Sequence, residues 1–327
     1  MPLRPAMSAA PPPPPQVSVA LCTYNGARYL REQLDSLLAQ RDVALEVVAL
    51  DDGSSDHTCA ILAQYAQADP RLRWQANPRN LGPTASFEAA MALCRGDLIA
   101  PADQDDIWEA DKLARLVAAL GDADLIYCDS AYVDADGRSL GRRVSQGTRM
   151  LEGTAPLQFL FANSVSGHAS VLRRDLFAAV RPFPELAYHD WWLALCAAGR
   201  NGVRYLDAPL VRFRRHATAF SPMGKGGRAR RDPASANAWL DHRHSLMRGY
   251  ARLGWRDADT AAALATAMDA AREHGRNTAL MRLLWRLRRA LPRWKGVPAL
   301  DALKMQWRVA KNLRRAGRET GFSPSGR

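Results

Sequence analysis

Leu98-Ile-Ala-Pro-Ala-Asp-Gln-Asp-Asp-Ile-Trp108 is the stretch on which the reading of this chain turns. Its opening, Leu98 to Ala100, has the short apolar run of a buried strand, and Asp103, Asp105 and Asp106 follow close on its end. Carboxylates that near to one another repel, and holding them at a sheet end is costly unless a cation offsets them. Oxygen donors of this kind suit Mg²⁺ or Mn²⁺, which often complete their coordination with substrate phosphates. The plainer alternative is a solvated acidic turn before the helical pattern that starts at Asp111. The rest of the chain decides between the two.

Upstream, Val17-Ser-Val-Ala-Leu-Cys22 is a strand pattern ended by the turn-prone Tyr24-Asn-Gly26, and residues 27–40 follow with Leu30, Leu34, Leu37 and Leu38 at helical spacing. Glu46-Val-Val-Ala-Leu50 repeats the theme, ended by Asp51-Asp-Gly-Ser-Ser-Asp56, where Ser55 or Asp56 can cap the next helix. Leu72 to Ala76 reads as a third strand, turned by Asn77-Pro-Arg-Asn-Leu-Gly82 into a helix over 84–94, and Asp124 to Cys128 reads as a fifth. Apolar strands alternating with helices predict an α/β domain whose mostly parallel sheet is covered on both faces. Ligands bind such sheets beyond the carboxyl ends of the strands. The polar turns after the first, second and fourth strands therefore converge on one rim, which favours a functional reading of the acidic cluster. Neither GxGxxG nor GxxxxGK[ST] is present, so a nucleotide held here depends on carboxylates and a metal.

Taken together, the strand and turn at 17–26, the acidic turn at 50–56, Asn80-Leu-Gly82, the stretch from Ala102 to Trp108, and His189-Asp-Trp-Trp192 resemble the family-two inverting glycosyltransferases over residues 16–218. The set is most similar to the bacterial branch that adds rhamnose or related sugars to surface polysaccharides. The resemblance implies a GT-A fold, a UDP- or dTDP-sugar donor with dTDP-rhamnose among the candidates, and one Mg²⁺ or Mn²⁺. It assigns the donor site to Cys22, Tyr24, Asn25, Asp52, Arg79, Asp103 and Asp105, with Asp52 on the base N–H, Tyr24 stacked on the base and Asp103 at the ribose. Asp105, Asp106 and His216 are the implied metal set, and Arg214 and Arg215 stand where phosphate could be clamped. Asp190 occupies the position of the general base, with His189 standing where relatives often have Glu. His168, His189, Trp191 and Trp192 fall in the region of the acceptor. The acceptor is expected to be a glycan or a lipid-linked saccharide in cell-surface polysaccharide assembly.

The 327 residues carry a net charge of +12, but residues 226–327 alone hold 22 Lys and Arg against 8 Asp and Glu. The excess is a property of the last third. Three parts are expected: a disordered Pro-rich leader at 1–15, without the apolar core of a signal peptide, a catalytic domain at 16–222, and a helical basic extension at 228–327. In the extension, Leu284, Leu287 and Leu291 share one face of a helix and Arg282, Arg286 and Arg289 another; residues 302–315 repeat the pattern. Basic amphipathic helices with Trp and Leu predict attachment to anionic lipid. The alternatives are packing on the catalytic domain or, without a recognised motif, nucleic-acid binding. No uninterrupted apolar run spans a membrane, and the five scattered cysteines point to reduced thiols. The expected location is cytoplasmic, peripheral on the inner membrane face. Two other functions compete: a haloacid-dehalogenase-like phosphatase with a nucleophilic aspartate in Asp103-Gln-Asp-Asp106, and a nucleotide- or nucleic-acid-binding module with a basic arm.

Overall fold

The computed structural model describes residues 16–216, 233–274, 278–288 and 290. The leader at 1–15, the hinge at 221–227 and the helix expected at 302–315 lie outside them. The first half of the chain alternates strand and helix as its periodicity predicts. The elements are β1 (Val17–Thr23), α1 (Leu30–Leu38), β2 (Leu45–Asp51), α2 (Thr58–Ala68), β3 (Leu72–Ala76), α3 (Pro83–Ala92) and β4 (Leu98–Ala102). Every residue of β2 and β4, and all of β1 but Cys22, is buried, as continuous apolar strands in a sheet covered on both sides must be. β1 pairs in parallel with both β2 and β4, Val19 lying opposite Val47 on one side and Ala100 on the other.

The second half departs from a purely parallel alternation. It comprises β5 (Ile107–Trp108), α4 (Lys112–Leu120), β6 (Leu125–Val133), β7 (Ser139–Arg143), α5 (Val144–Gly147), α6 (Pro156–Phe161), β8 (Ser170–Arg173), α7 (Arg174–Val180), α8 (His189–Gly199) and β9 (Val203–Arg214). The sheet of nine described strands runs β3-β2-β1-β4-β8-β6-β9-β5, with β7 on β6. β8 enters antiparallel between β4 and β6, so the fifth expected strand never touches the fourth. At four residues β8 is too short to show a hydrophobic period, which is why sequence alone joins β4 to β6. Antiparallel pairing of β5 with β9, Ile107 opposite Arg212, returns the chain to the acidic turn and sets Arg214 and His216 beside it.

The basic extension supplies α9 (Pro233–Ala251), α10 (Ala258–His274) and α11 (Thr278–Arg286). These helices do not form a separate core. Leu240, Leu246, Met247, Tyr250, Leu264, Met268, Leu280 and Leu284 join one apolar cluster with α8 and the sheet. Two glycines permit the approach. A Cβ on Gly199 would stand 1.9 Å from Tyr250 Oη, and one on Gly249 would stand 2.5 Å from Pro184 and 3.3 Å from Trp192. The leucine row expected to face lipid is therefore spent internally: Leu284 is buried and Leu287 packs against the cluster, while Leu291 lies outside the described residues. No described helix is long and apolar enough to cross a membrane.

Candidate active site

The turns after β1 and β2 are tied to each other. Asp51 is fully buried and accepts from Thr23 Oγ1 at 2.9 Å, Ser54 N at 2.8 Å and Ser54 Oγ at 2.6 Å. Asn25, at φ 48°, donates its N–H to Ser54 Oγ and accepts from Ser55 N, both at 2.8 Å. Asp52 faces the third turn instead: Oδ1 accepts from Asn77 Nδ2 and Leu81 N at 2.8 Å, and Oδ2 from Gly82 N at 2.9 Å. A carboxylate has about four lone-pair positions, so one remains for a ligand N–H. Cys22 lies between the two acidic turns, where burial and the charges of Asp103 and Asp52 push its thiol up. Tyr24 and Arg79 are exposed on the rim.

A contact invisible at the sequence level fixes the acidic turn to β1. Gln104, the middle residue of Asp103-Gln-Asp105, accepts from Tyr24 N at 2.8 Å and donates to Tyr24 O at 3.0 Å. Gly26 makes the room, since a Cβ there would lie 2.1 Å from Gln104 Oε1. The three flanking carboxylates then take different environments. Side-chain exposure is 44% for Asp103, 18% for Asp105 and 0% for Asp106. Asp105 Oδ2 meets His216 Nε2 at 2.7 Å, whereas Asp106 accepts from Arg214 N through Oδ1 and leaves its buried Oδ2 without a hydrogen bond.

Beneath them lies a layer of buried cations. His168 Nδ1 is 3.4 Å from Oδ2 of both Asp103 and Asp106, its Nε2 meets Ser130 Oγ at 3.1 Å, and Lys112 Nζ donates to the His168 carbonyl at 2.6 Å. Lys112 is wholly buried over the Trp108 ring. Burial pushes it down to about 7, against the pull of nearby acids. Burial also raises Asp106 to about 7, helped by the charges of Asp105 and Asp103 and opposed by His168. Asp103 goes the other way: its own burial is outweighed by the bond to His168 and the charges of His168, His189 and Lys112, so it is held below the usual range. For His168 the acids outweigh burial and raise it. Asp105 is raised by burial and by Asp103, with His216 opposing.

Asp190 stands in the first turn of α8, where an anion is favoured by the helix dipole, and its Oδ1 accepts from Trp191 N at 2.6 Å. Burial raises its acid, opposed by His189 and the bond from Trp191 N. Its neighbour His189 lies against Gly167, where a Cβ would stand 2.5 Å from His189 Nε2. The residue after that glycine, His168, is 3.4 Å from Asp103, which puts the start of α8 beside the acidic turn. His189 stacks on Phe87 with centroids 3.9 Å apart and presses its buried Nε2 toward Gly167.

A family model described as glycosyl transferase family 2 matches residues 18–181, half of the chain, including both acidic turns. The chain belongs to glycosyl transferase family 2. It is 25% identical over 253 residues to an uncharacterised glycosyltransferase of Nostoc sp., covering 73% of this chain and 77% of that one. It is also 38% identical over 128 residues to the succinoglycan biosynthesis protein ExoO of Rhizobium meliloti, covering 38% and 36%. Among solved structures, residues 1–349 of Staphylococcus aureus TarS in complex with UDP-GlcNAc match with a TM-score of 0.59 at 18% identity, covering 93% of this chain and 91% of that one. The GT-A architecture expected from the motifs is the observed one.

Within this family-2 scaffold several expected roles need correction. His168, expected at the acceptor, is 4% exposed and underlies the aspartates. Trp192 is core: it is 2% exposed, with its indole N–H donating to Val180 O at 3.1 Å. Trp191 is partly buried, its indole N–H bound to Phe159 O and its ring beside Arg243. Asp106 groups with Asp103 and His168, all within 4.8 Å, and not with Asp105 and His216. Arg214 is buried and occupied by Glu32, the Asp105 carbonyl and the Ala135 carbonyl, which leaves no fork for phosphate. Lys112 and Gln104 carry no signal in the sequence, because neither belongs to a charge pattern: the turn after β1 gives Gln104 its partner Tyr24, and the His168 carbonyl and the Trp108 ring give Lys112 its own.

Proposed function

We propose that this family-2 glycosyltransferase moves a sugar, with inversion, from a UDP- or dTDP-sugar to a hydroxyl of a glycan or lipid-linked acceptor in surface-polysaccharide assembly. The observation that carries the reading is the packing of His189, the neighbour of Asp190, against Gly167, one residue from the His168 that lies 3.4 Å from Asp103; it supports a carboxylate base next to the acidic turn. Asp52 keeps one acceptor position for the N3–H of a pyrimidine, and the exposed Tyr24 ring is free to lie on the base. Asp103, half open, reaches toward the ribose, and Arg79 is free at the rim for phosphate charge. The UDP-GlcNAc held by TarS and the succinoglycan role in the name of ExoO support this donor class and this product class.

The donor set fits a divalent ion. Asp105 and His216, each keeping part of its side chain exposed beside the more open Asp103, offer an oxygen and an imidazole nitrogen 2.7 Å apart, and they would hold it. Asp106 has no exposed carboxylate surface to share with an ion that also meets a substrate. Bound there, Mg²⁺ or Mn²⁺ would offset charge on the departing diphosphate. Asp190 accepts the proton of the attacking hydroxyl.

The test is a thermal-shift series with UDP, dTDP and GDP, with and without Mn²⁺, followed by Mn²⁺-dependent turnover of the matching nucleotide-sugars. Stabilisation by UDP or dTDP that grows with Mn²⁺ is expected, and no shift with any nucleotide would sink the reading. Arg282, Trp285 and Arg286 are exposed on α11, and Arg288 just past its end, and they support peripheral attachment to anionic lipid. Flotation with phosphatidylglycerol vesicles tests that, and its absence at moderate salt removes the membrane location.

A further inference from the structure

The aromatic wall expected at the acceptor from Trp191 and Trp192 is turned inward, but two other rings stand open at the same end of α8. Tyr188, two residues before Asp190, is 41% exposed, and Trp239 of α9 is 36% exposed. Each is supported from behind by one of two consecutive residues of α9. His242 lies against Tyr188 with ring centroids 4.4 Å apart and meets the Leu186 carbonyl through Nδ1 at 2.9 Å. Arg243 lies between Trp239, 4.1 Å from its ring centre, and Trp191, 4.8 Å away.

Arg243 is the unusual member. It is 4% exposed, forms no ion pair with any described carboxylate, and leaves its buried Nε without a hydrogen bond. Burial alone pushes it down to about 9. Its bond from Nη1 to Leu160 O, at 2.8 Å, satisfies the end of α6 but does not call for a second indole on the guanidinium. A buried cation without an acid is costly, and an exposed Trp leaves apolar surface in water. Together they make a rigid stack, Trp191 to Arg243 to Trp239, whose last face is open. Flat aromatic faces with a polar edge suit pyranose rings, which present C–H groups on one face and hydroxyls around the rim. The general base of this site also needs a sugar hydroxyl delivered to it.

We propose that Tyr188 and Trp239 form a docking surface for the sugar rings of the acceptor glycan, held in place by His242 and Arg243. The surface lies at the end of α8 that carries Asp190, and it is built jointly by the catalytic sheet domain and the C-terminal helices. The assignment rests on the acceptor being a glycan, as proposed above.

The experiment uses the full chain with Mn²⁺ and UDP on an immobilised panel of bacterial oligosaccharides, beside Y188A, W239A and the ring-preserving Y188F and W239F. UDP affinity is read in parallel by calorimetry. The wild type is expected to bind a subset of glycans. Y188A and W239A should weaken every such interaction by about tenfold or more with UDP affinity unchanged, and the Phe variants should retain it. Wild-type binding to no glycan, or full binding by W239A and Y188A, overturns the proposal while UDP binding leaves the donor reading intact. Loss of UDP binding in the wild type would strike the donor reading instead. Trp239-dependent capture of phosphatidylglycerol vesicles without glycan binding would assign the surface to lipid and also overturn it.

Discussion

At the scale of single residues, the cluster separates aspartates that look equivalent in the sequence. Asp103 is the most open, Asp105 stands partly covered against His216, and Asp106 is sealed beneath. Asp105→Asn is therefore expected to raise the Mn²⁺ concentration for half-maximal turnover by about 10–100-fold. Asp106→Asn should leave that value within a few-fold; equal effects in a Mn²⁺ titration would contradict the division. Asp190→Asn should lower kcat by about 10²–10⁴-fold without changing UDP affinity. Burial holds the Asp190 acid above the usual carboxylate range, and in the proposed role it takes a proton only when ionised. Turnover should therefore rise with pH through an apparent pKa above that of an ordinary carboxylate, and that acid limb should vanish in Asp190→Asn. The carboxylates themselves could be picked out from the chain. Their different exposures could not, because each depends on a partner more than 60 residues away, His168 for Asp103 and Asp106 and His216 for Asp105.

At the scale of elements, the first four strands and their helices are legible because each carries its own period, and their turns fall at the rim the parallel pairing predicts. β8 and the short pair of β5 with β9 are not, since four and two residues show no pattern and are held by neighbours far along the chain. The clasp between β1 and β4 can be tested directly. Gly26→Ala places a methyl where Gln104 Oε1 now sits, displacing the amide from both of its bonds to Tyr24. Loss of the two bonds is expected to cost about 1–2 kcal/mol in stability and to raise the donor KM. Gln104→Ala should reproduce the KM change without the steric part. An unchanged donor KM in both variants would show that the clasp does not shape the donor site. At the other end, Gly199→Ala drives a methyl into the Tyr250 ring and should cost about 1–3 kcal/mol by urea unfolding.

At the scale of the molecule, the charge split of the sequence marks a real change of composition but not a separable body. α9 to α11 complete the core that α8 begins. The basic residues are visible in the sequence, whereas the inward role of Leu280 and Leu284 depends on packing against α10 and the cluster it joins, which no local pattern announces. His242 carries the junction's pH dependence. Burial pushes it down to about 4, so the neutral ring is the folded form and the unfolded chain binds the extra proton between about 4 and 6.5. Stability should therefore fall as pH drops through that window, by about 2–3 kcal/mol more in the wild type than in His242→Asn. Parallel urea curves for the two proteins at pH 7 and pH 4 would refute it.

The fit of Tyr250 over Gly199 bears on how this enzyme can be recombined. A chimaera that grafts the tail of a relative onto residues 16–216 would need the glycine and the tyrosine to travel together, or the helix bearing Asp190 would lose its backing. If Tyr188 and Trp239 dock the acceptor as proposed, its preference passes on with that hybrid junction, and exchanging loops at the sheet rim alone would leave it largely where it was.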